Sequence, residues 1–373
     1  MATQTQSLPT MAAFRGSGRA PSGTHAFVCG VSGHRLTDFE RSYISEMRPW
    51  GVILFARNVS NPQQLARLTD SIRDVLGWQA PVLIDQEGGR VQRLKPPHWR
   101  RYPSAGRFGA MEAAEPGAGV EAAQIAAWLI ADDLLSVGID VNCAPVLDLR
   151  VPGGTNAIGN RAYHRELEIV SRVGRAVHDA FLQAGVVPVI KHIPGHGRAK
   201  VDSHEKLPRI TASPDALSQW DFAAFKSLAD SPMAMTGHLV FDAYDQQNPV
   251  TLSSKMIHVI RDQIGFDGAL LTDDLSMGAL SGSIKDRAVG ALEAGCDLLL
   301  HCNGGRREMD DLRGVVPELD GDAALRCARA LTRRGRQAMD RRLMGDRLES
   351  LLAQFPDIDA EKSVDPTRET RIT

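Results

Sequence analysis

Residues Val186–His204 read VVPVIKHIPGHGRAKVDSH. The stretch opens as a β-branched apolar run, the composition of a strand buried on both faces. It then delivers Lys191 and His192 at the strand end and breaks on Pro194, Gly195 and Gly197. It finishes in a polar loop that carries Asp202, Ser203 and His204. A cation and two imidazoles, one beside its own carboxylate, make poor core packing. They point to a site built just past a strand.

The same order of elements recurs on both sides of this stretch. Short apolar runs at His25–Val31, Gly51–Ala56, Pro81–Asp85, Ile139–Ala144, Val186–His192, Met233–His238, Ala269–Asp273 and Asp297–Cys302 predict eight strands. Between them lie patterns of helical period. Asn61–Leu76 opens on an Asn cap with Pro62 at the first helical position. Glu121–Val137 and Leu167–Ala184 carry apolar residues at three- and four-residue spacing, and Ser213–Leu228, Ser253–Ile264 and Ile284–Ala294 follow the same logic. Near-continuous apolar strands alternating with helices imply a parallel sheet covered on both faces. Eight such units favour closure into a single-domain (β/α)8 TIM barrel over an open doubly wound sheet. An open dinucleotide-binding sheet is weakened further because no G-x-G-x-x-G follows the first strand. The predicted organisation is a disordered leader over 1–22, the barrel over 23–345, and a C-terminal tail over 346–373.

Composition narrows the function classes. Lys plus Arg (43) nearly balances Asp plus Glu (45), which offers no field for nucleic acid or an anionic membrane. No run of about 18 apolar residues suggests a membrane span. The five cysteines, Cys29, Cys143, Cys296, Cys302 and Cys327, are scattered without CxxC pairing, so a cytoplasmic setting is expected. A monomer needing no metal or cofactor is also expected.

In a barrel the chemistry sits past the C-terminal strand ends. Those ends carry Asp85, Gln86, Glu87 and Arg93, then Asn142 and Asp148, Lys191 and His192, and His238. Asp273 and Asp274 follow, and His301, Cys302 and Asn303 complete the set. Singly, each has an ordinary structural reading. Asp274 and Glu87 suit helix caps or supporting partners, His238 and His301 suit satisfied core histidines, and Cys143 and Cys302 suit small buried hydrophobes. Together they suit a polar substrate.

Five motifs in collinear order make the chain recognisable: IDQEGGRVQR (84–93), APVLDL (144–149), IGNRAYH (158–164), KHIPGHG with DSH (191–204), and LLTDDLSM (270–277). Over about residues 24–305 the chain resembles the family 3 glycoside hydrolases, and within them the bacterial β-N-acetylglucosaminidases of peptidoglycan recycling. Ile193 departs from the aromatic residue usual there. The resemblance implies Asp273 as catalytic nucleophile and His204, beside Asp202, as a histidine general acid/base. It implies that Asp85, Arg93, Arg161, Lys191 and His192 hold the N-acetylglucosamine ring of a muropeptide substrate. These assignments agree with the residues' own chemistry. Retaining hydrolysis needs a carboxylate at the anomeric carbon and an acid at the departing oxygen. An imidazole of ordinary pKa about 6.5 suits that acid role near neutrality. The residues leave other readings open: a zinc hydrolase using His192, His196, His204, His238 and Asp273, a Schiff-base aldolase on Lys191, a silent sugar-binding protein, and phosphorolysis with phosphate as acceptor.

Overall fold

The computed structural model describes residues 18–303, 305–332 and 339–358. Eight parallel strands close on themselves: β1 (His25–Gly30), β2 (Pro49–Leu54), β3 (Val82–Ile84), β4 (Val141–Asn142), β5 (Val187–Ile193), β6 (Met233–Thr236), β7 (Ala269–Asp274) and β8 (Leu298–His301). Each pairs with its neighbours in chain order, and β8 returns to β1 through Phe27–Leu299, Val28–Leu300 and Cys29–His301. The expected (β/α)8 barrel is the observed one.

Strand periodicity divides the core in two. Val28, Leu83, Val141, Val187, Val189, Met233, Met235, Ala269, Leu271, Leu298 and Leu300 fill the interior. Their sequence neighbours, such as Phe27, Cys29, Val82, Ile84 and Leu299, face the surrounding helices. Because side chains alternate with period two, both faces must be apolar, and this is why the strands read as continuous runs. Cys327, Ala330 and Leu331 of the helix Gly321–Thr332 join the interior cluster and close its lower end.

Helix boundaries follow local chemistry. Asn61 accepts from the Gln64 amide, Pro62 opens the helix Pro62–Leu76, and Gly77 ends it with a left-handed φ of 73°. The span predicted at Ser213–Leu228 is interrupted by a π-helical turn at Leu217–Asp221. β4 is shorter than its apolar run because the chain turns at Ala144, whose amide bonds back to the Asn142 carbonyl. β2 lies two residues earlier than expected, since Asn58 Oδ1 captures the Phe55 amide and curls the chain into a 3-10 turn.

The predicted outer boundaries need correction. Gly18 is buried, and a side chain there would meet the Ala328 carbonyl at 2.5 Å, so the chain is packed before residue 22. The boundary at 346 falls inside the helix Arg341–Ala353. Leu348 and Leu351 of that helix are buried, and Arg347 forks onto Glu121 at 2.7 and 2.8 Å. A charged surface masked its few apolar anchors. Residues 1–17 and 359–373 lie outside the described residues. Among the described residues no helix is long and apolar enough to cross a membrane.

Candidate active site

Strand alternation builds the floor of the site. Leu83, Val187 and Val189, and Ala269 and Leu271 point into the barrel, so two residues on from Leu83, Val189 and Leu271 the residues Asp85, Lys191 and Asp273 project on the same inward side. A register shift between Lys191 and Ile193 re-aims the next residue. His192 thereby reaches the same mouth.

Asp85, Lys191 and Arg93 meet there with Glu87 and Arg161. Lys191 Nζ donates to Asp85 Oδ1 at 2.7 Å and lies 2.8 Å from Glu87 Oε1. Arg93 reaches Asp85 Oδ2 at 3.2 Å. Arg161 grips Glu87 in a fork, Nε to Oε2 at 2.9 Å and Nη2 to Oε1 at 2.8 Å. Burial alone would push both carboxyls up. The cations outweigh it, so Asp85 lies far below the usual carboxylate range and Glu87 is held down to about 2. Burial likewise disfavours the Lys191 ammonium, and Asp85 with Glu87 reverse that. A Schiff-base lysine needs a free amine, so this cluster argues against the aldolase reading.

His192 stands beside this cluster, with Nε2 3.5 Å from Arg161 Nη2. Its Nδ1 lies 2.7 Å from Asp148 Oδ2, and Asp148 Oδ1 accepts the amides of His192 and His196. Arg161 itself sits on a 3-10 turn, Gly159–Arg161, whose approach is clamped by Arg90 donating to the Ala157 and Ile158 carbonyls.

Asp273 ends the apolar run of β7. Its Oδ1 accepts the Asp274 amide at 2.8 Å. Burial would raise this carboxyl, yet the fields of His238, His192 and His204 keep it below its ordinary value. The adjacent Asp274 is occupied differently. Its carboxylate accepts from Ser276 N and Oγ and from the Cys302 amide, a tie between two loops.

His204 approaches from the loop after β5. Asp202 Oδ1 is 2.8 Å from its Nδ1 and accepts its backbone amide at 2.9 Å. The Asx turn and the carboxylate–imidazole pair are therefore one structure, with Asp202 on the Nδ1 side of the ring. The loop is docked on the Asp273 segment, because Gly278 N donates to the His204 carbonyl and Ala279 N to that of Ser203. Burial lowers the His204 pKa, but Asp202 and then Asp273 more than offset it, so the imidazolium persists above the usual histidine range.

Each of the five residues weighed as zinc ligands is engaged by another partner, Asp273 by the Asp274 amide. His238 is bound by Thr251 and the Asp274 carbonyl, His196 by Ser203, His192 by Asp148, and His204 by Asp202. Among the described residues no group of three or more His, Cys, Asp or Glu is placed to hold a metal ion.

Comparison with known proteins decides the family. The glycosyl hydrolase family 3 N-terminal domain matches residues 26–331. The chain belongs to glycosyl hydrolase family 3. A β-hexosaminidase of Alkalilimnicola ehrlichii is 39% identical over 281 residues, covering 74% of this chain and 80% of that protein. One from Thioalkalivibrio sulfidiphilus is 37% identical over 313 residues, covering 82% and 88%. The crystal structure of NagZ from Neisseria gonorrhoeae in complex with N-trifluoroacetyl-D-glucosamine superposes with a TM-score of 0.80. It is 31% identical and covers 88% of this chain and 98% of that one. This family 3 chain is thus an enzyme, a glycosidase of the β-hexosaminidase type.

Within the family 3 barrel, three contributors act through contacts that the sequence did not assign to them. Glu87 is the hub joining Lys191 to Arg161, Asp148 orients His192, and His196 reaches Ser203. Glu87 and Asp148 were visible as carboxylates past strands. Their partners, far apart in the chain, were not.

Proposed function

We propose that this enzyme is a retaining glycosidase that removes terminal β-linked N-acetylglucosamine through a covalent glycosyl–Asp273 intermediate, with His204 as acid and base and Asp202 as its orienting partner. The observation that carries the reading is the Asp202–His204 pair at 2.8 Å on a loop hydrogen-bonded to the Asp273 segment. In the first step an Asp273 oxygen attacks C1 while the C1–O bond breaks. The Nε2 proton of the imidazolium passes to the glycosidic oxygen, and the aglycone leaves as an alcohol. In the second step neutral His204 takes a proton from water, the water oxygen attacks C1, and Asp273 departs as a carboxylate. Two displacements give net retention. Such proton transfer typically contributes about 10²–10⁴-fold.

The sugar ring is assigned to the layer of Asp85, Arg93, Arg161, Lys191 and His192, whose fixed donors and acceptors suit ring hydroxyls. A glucosamine derivative bound to the Neisseria gonorrhoeae relative supports an N-acetylhexosamine at this position. Motif resemblance supports a muropeptide aglycone bearing anhydro-N-acetylmuramic acid. A cytoplasmic location is in keeping with five cysteines that form no disulfide.

The test is proton NMR of an aryl β-N-acetylglucosaminide digest, with and without phosphate. The β-anomer of free N-acetylglucosamine should appear first under both conditions. Initial release of the α-anomer would exclude the double displacement, and N-acetylglucosamine 1-phosphate would make phosphate the acceptor.

A further inference from the structure

The acid/base loop has two differently held halves. From Pro194 to Ala199 it is fixed to the barrel: the His196 amide donates to Asp148 Oδ1 at 2.6 Å, Arg198 Nε to the buried Asp221 at 2.6 Å, and Thr155 N to the Ala199 carbonyl. Lys200 and Val201 are then exposed. The chain regains a buried side chain at Ser203, next to His204, and Ser203 Oγ lies 3.0 Å from His196 Nε2. Both residues are almost fully buried, at 2% exposure for His196 and 4% for Ser203. The other ring nitrogen, His196 Nδ1, is buried with no hydrogen-bond partner among the described residues. Ser203 is therefore the ring's hydrogen-bond partner, and a loop that swings away leaves a buried imidazole with none.

We propose that His196 is a positioning residue, a latch that holds Ser203 and thereby sets His204 over Asp273. It rests on the reading of His204 as the acid. The anchor is shared with the sugar side of the site: the carboxylate that fixes the His196 backbone also holds His192 Nδ1 at 2.7 Å, and the two imidazoles meet edge to face at 5.6 Å. Orientation of the sugar-facing histidine and closure of the acid loop thus depend on one buried group, Asp148. Burial, reinforced by His192, pushes the His196 imidazole down to about 4, so the latch is a neutral hydrogen bond that stays made across the neutral range.

The test compares kcat/KM on two substrates, a dinitrophenyl β-N-acetylglucosaminide, whose departure needs no proton, and an alkyl β-N-acetylglucosaminide, whose departure does. Ser203→Ala removes only a hydroxyl and should lose roughly 10- to 100-fold on the alkyl glycoside, the scale of a small misplacement of a catalytic group. It should retain most activity on the dinitrophenyl glycoside. Ser203→Thr keeps the hydroxyl and should restore the alkyl activity, and His196→Phe should behave like Ser203→Ala. Equal losses on both substrates, or unchanged alkyl turnover in Ser203→Ala, overturn the latch. His204→Ala, assayed in parallel, separates the two ideas. If it is leaving-group-selective while Ser203→Ala is not, the latch alone fails; if it is not selective, the acid role falls and the latch with it.

Discussion

Replacing Glu87 by Gln keeps shape and removes one charge from a buried polar cluster at the mouth of the barrel. Glu87, Lys191 and Arg161 have side-chain exposures of 6%, 2% and 4%. In the wild type two carboxylates, Asp85 and Glu87, face three cations, Arg93, Arg161 and Lys191. The variant leaves one carboxylate for all three. Breaking a buried pair by deleting one partner costs about 3–5 kcal/mol. A second route gives the same scale: the Glu87 carboxyl is held at about 2 against an ordinary 4.5, and at 1.36 kcal/mol per unit that is about 3 kcal/mol. The sign is fixed by the direction of the shift. A depressed carboxyl stabilises the fold above its unfolded pKa and loses that contribution as pH falls through the folded value. Thermal or urea unfolding of both proteins at pH 7 should therefore differ by about 3 kcal/mol or more, and the gap should shrink as pH falls from about 5 towards 2. A difference under about 1 kcal/mol at pH 7, the worth of an exposed pair, would refute the buried cluster.

Three further outcomes follow. The pH profile of kcat/KM on an alkyl N-acetylglucosaminide should be bell-shaped, its acidic limb below the ordinary aspartate value because Asp273 is lowered, and its alkaline limb above the ordinary histidine value because His204 is raised. Asp202→Asn should move that alkaline limb to lower pH and reduce the plateau, since the group that favours the imidazolium and fixes its tautomer is gone; an unmoved limb would detach Asp202 from His204. Gly197→Ala should disrupt the loop, because its new methyl would sit 1.9 Å from the Leu149 carbonyl; circular dichroism should report a barrel still folded, and kcat/KM on an alkyl N-acetylglucosaminide should fall.

Much of this site was legible because a closed parallel barrel puts its chemistry where strands end. Continuous apolar runs gave the strands, and the polar residue after each gave Asp85, Lys191 and Asp273. Short-range pairing was legible too: Asp202 lies two residues from His204, within reach of both its ring and its amide. What the sequence could not display were contacts made by closure. Glu87 lies 74 residues from Arg161, and Asp148 lies 44 from His192. Neither spacing carries a period. His196 was visible only as a possible metal ligand, because nothing local says that its ring turns back to Ser203. The helix Arg341–Ala353 was missed for a different reason: much of its surface is charged, and its apolar anchors are few, Leu348 and Leu351 buried with Met344 and Leu352 packed beside them.

The central claim is a covalent bond between the sugar and Asp273, made with His204 as proton donor and broken with it as base. In His204→Ala, a dinitrophenyl β-N-acetylglucosaminide can still glycosylate the enzyme, while deglycosylation lacks its base. Acid quenching of that reaction, followed by peptide mass mapping, should find an N-acetylhexosamine adduct on the peptide containing Asp273, and none in His204→Ala/Asp273→Asn. An adduct on another side chain, or turnover with no adduct while Asp273→Asn remains active, would contradict the account.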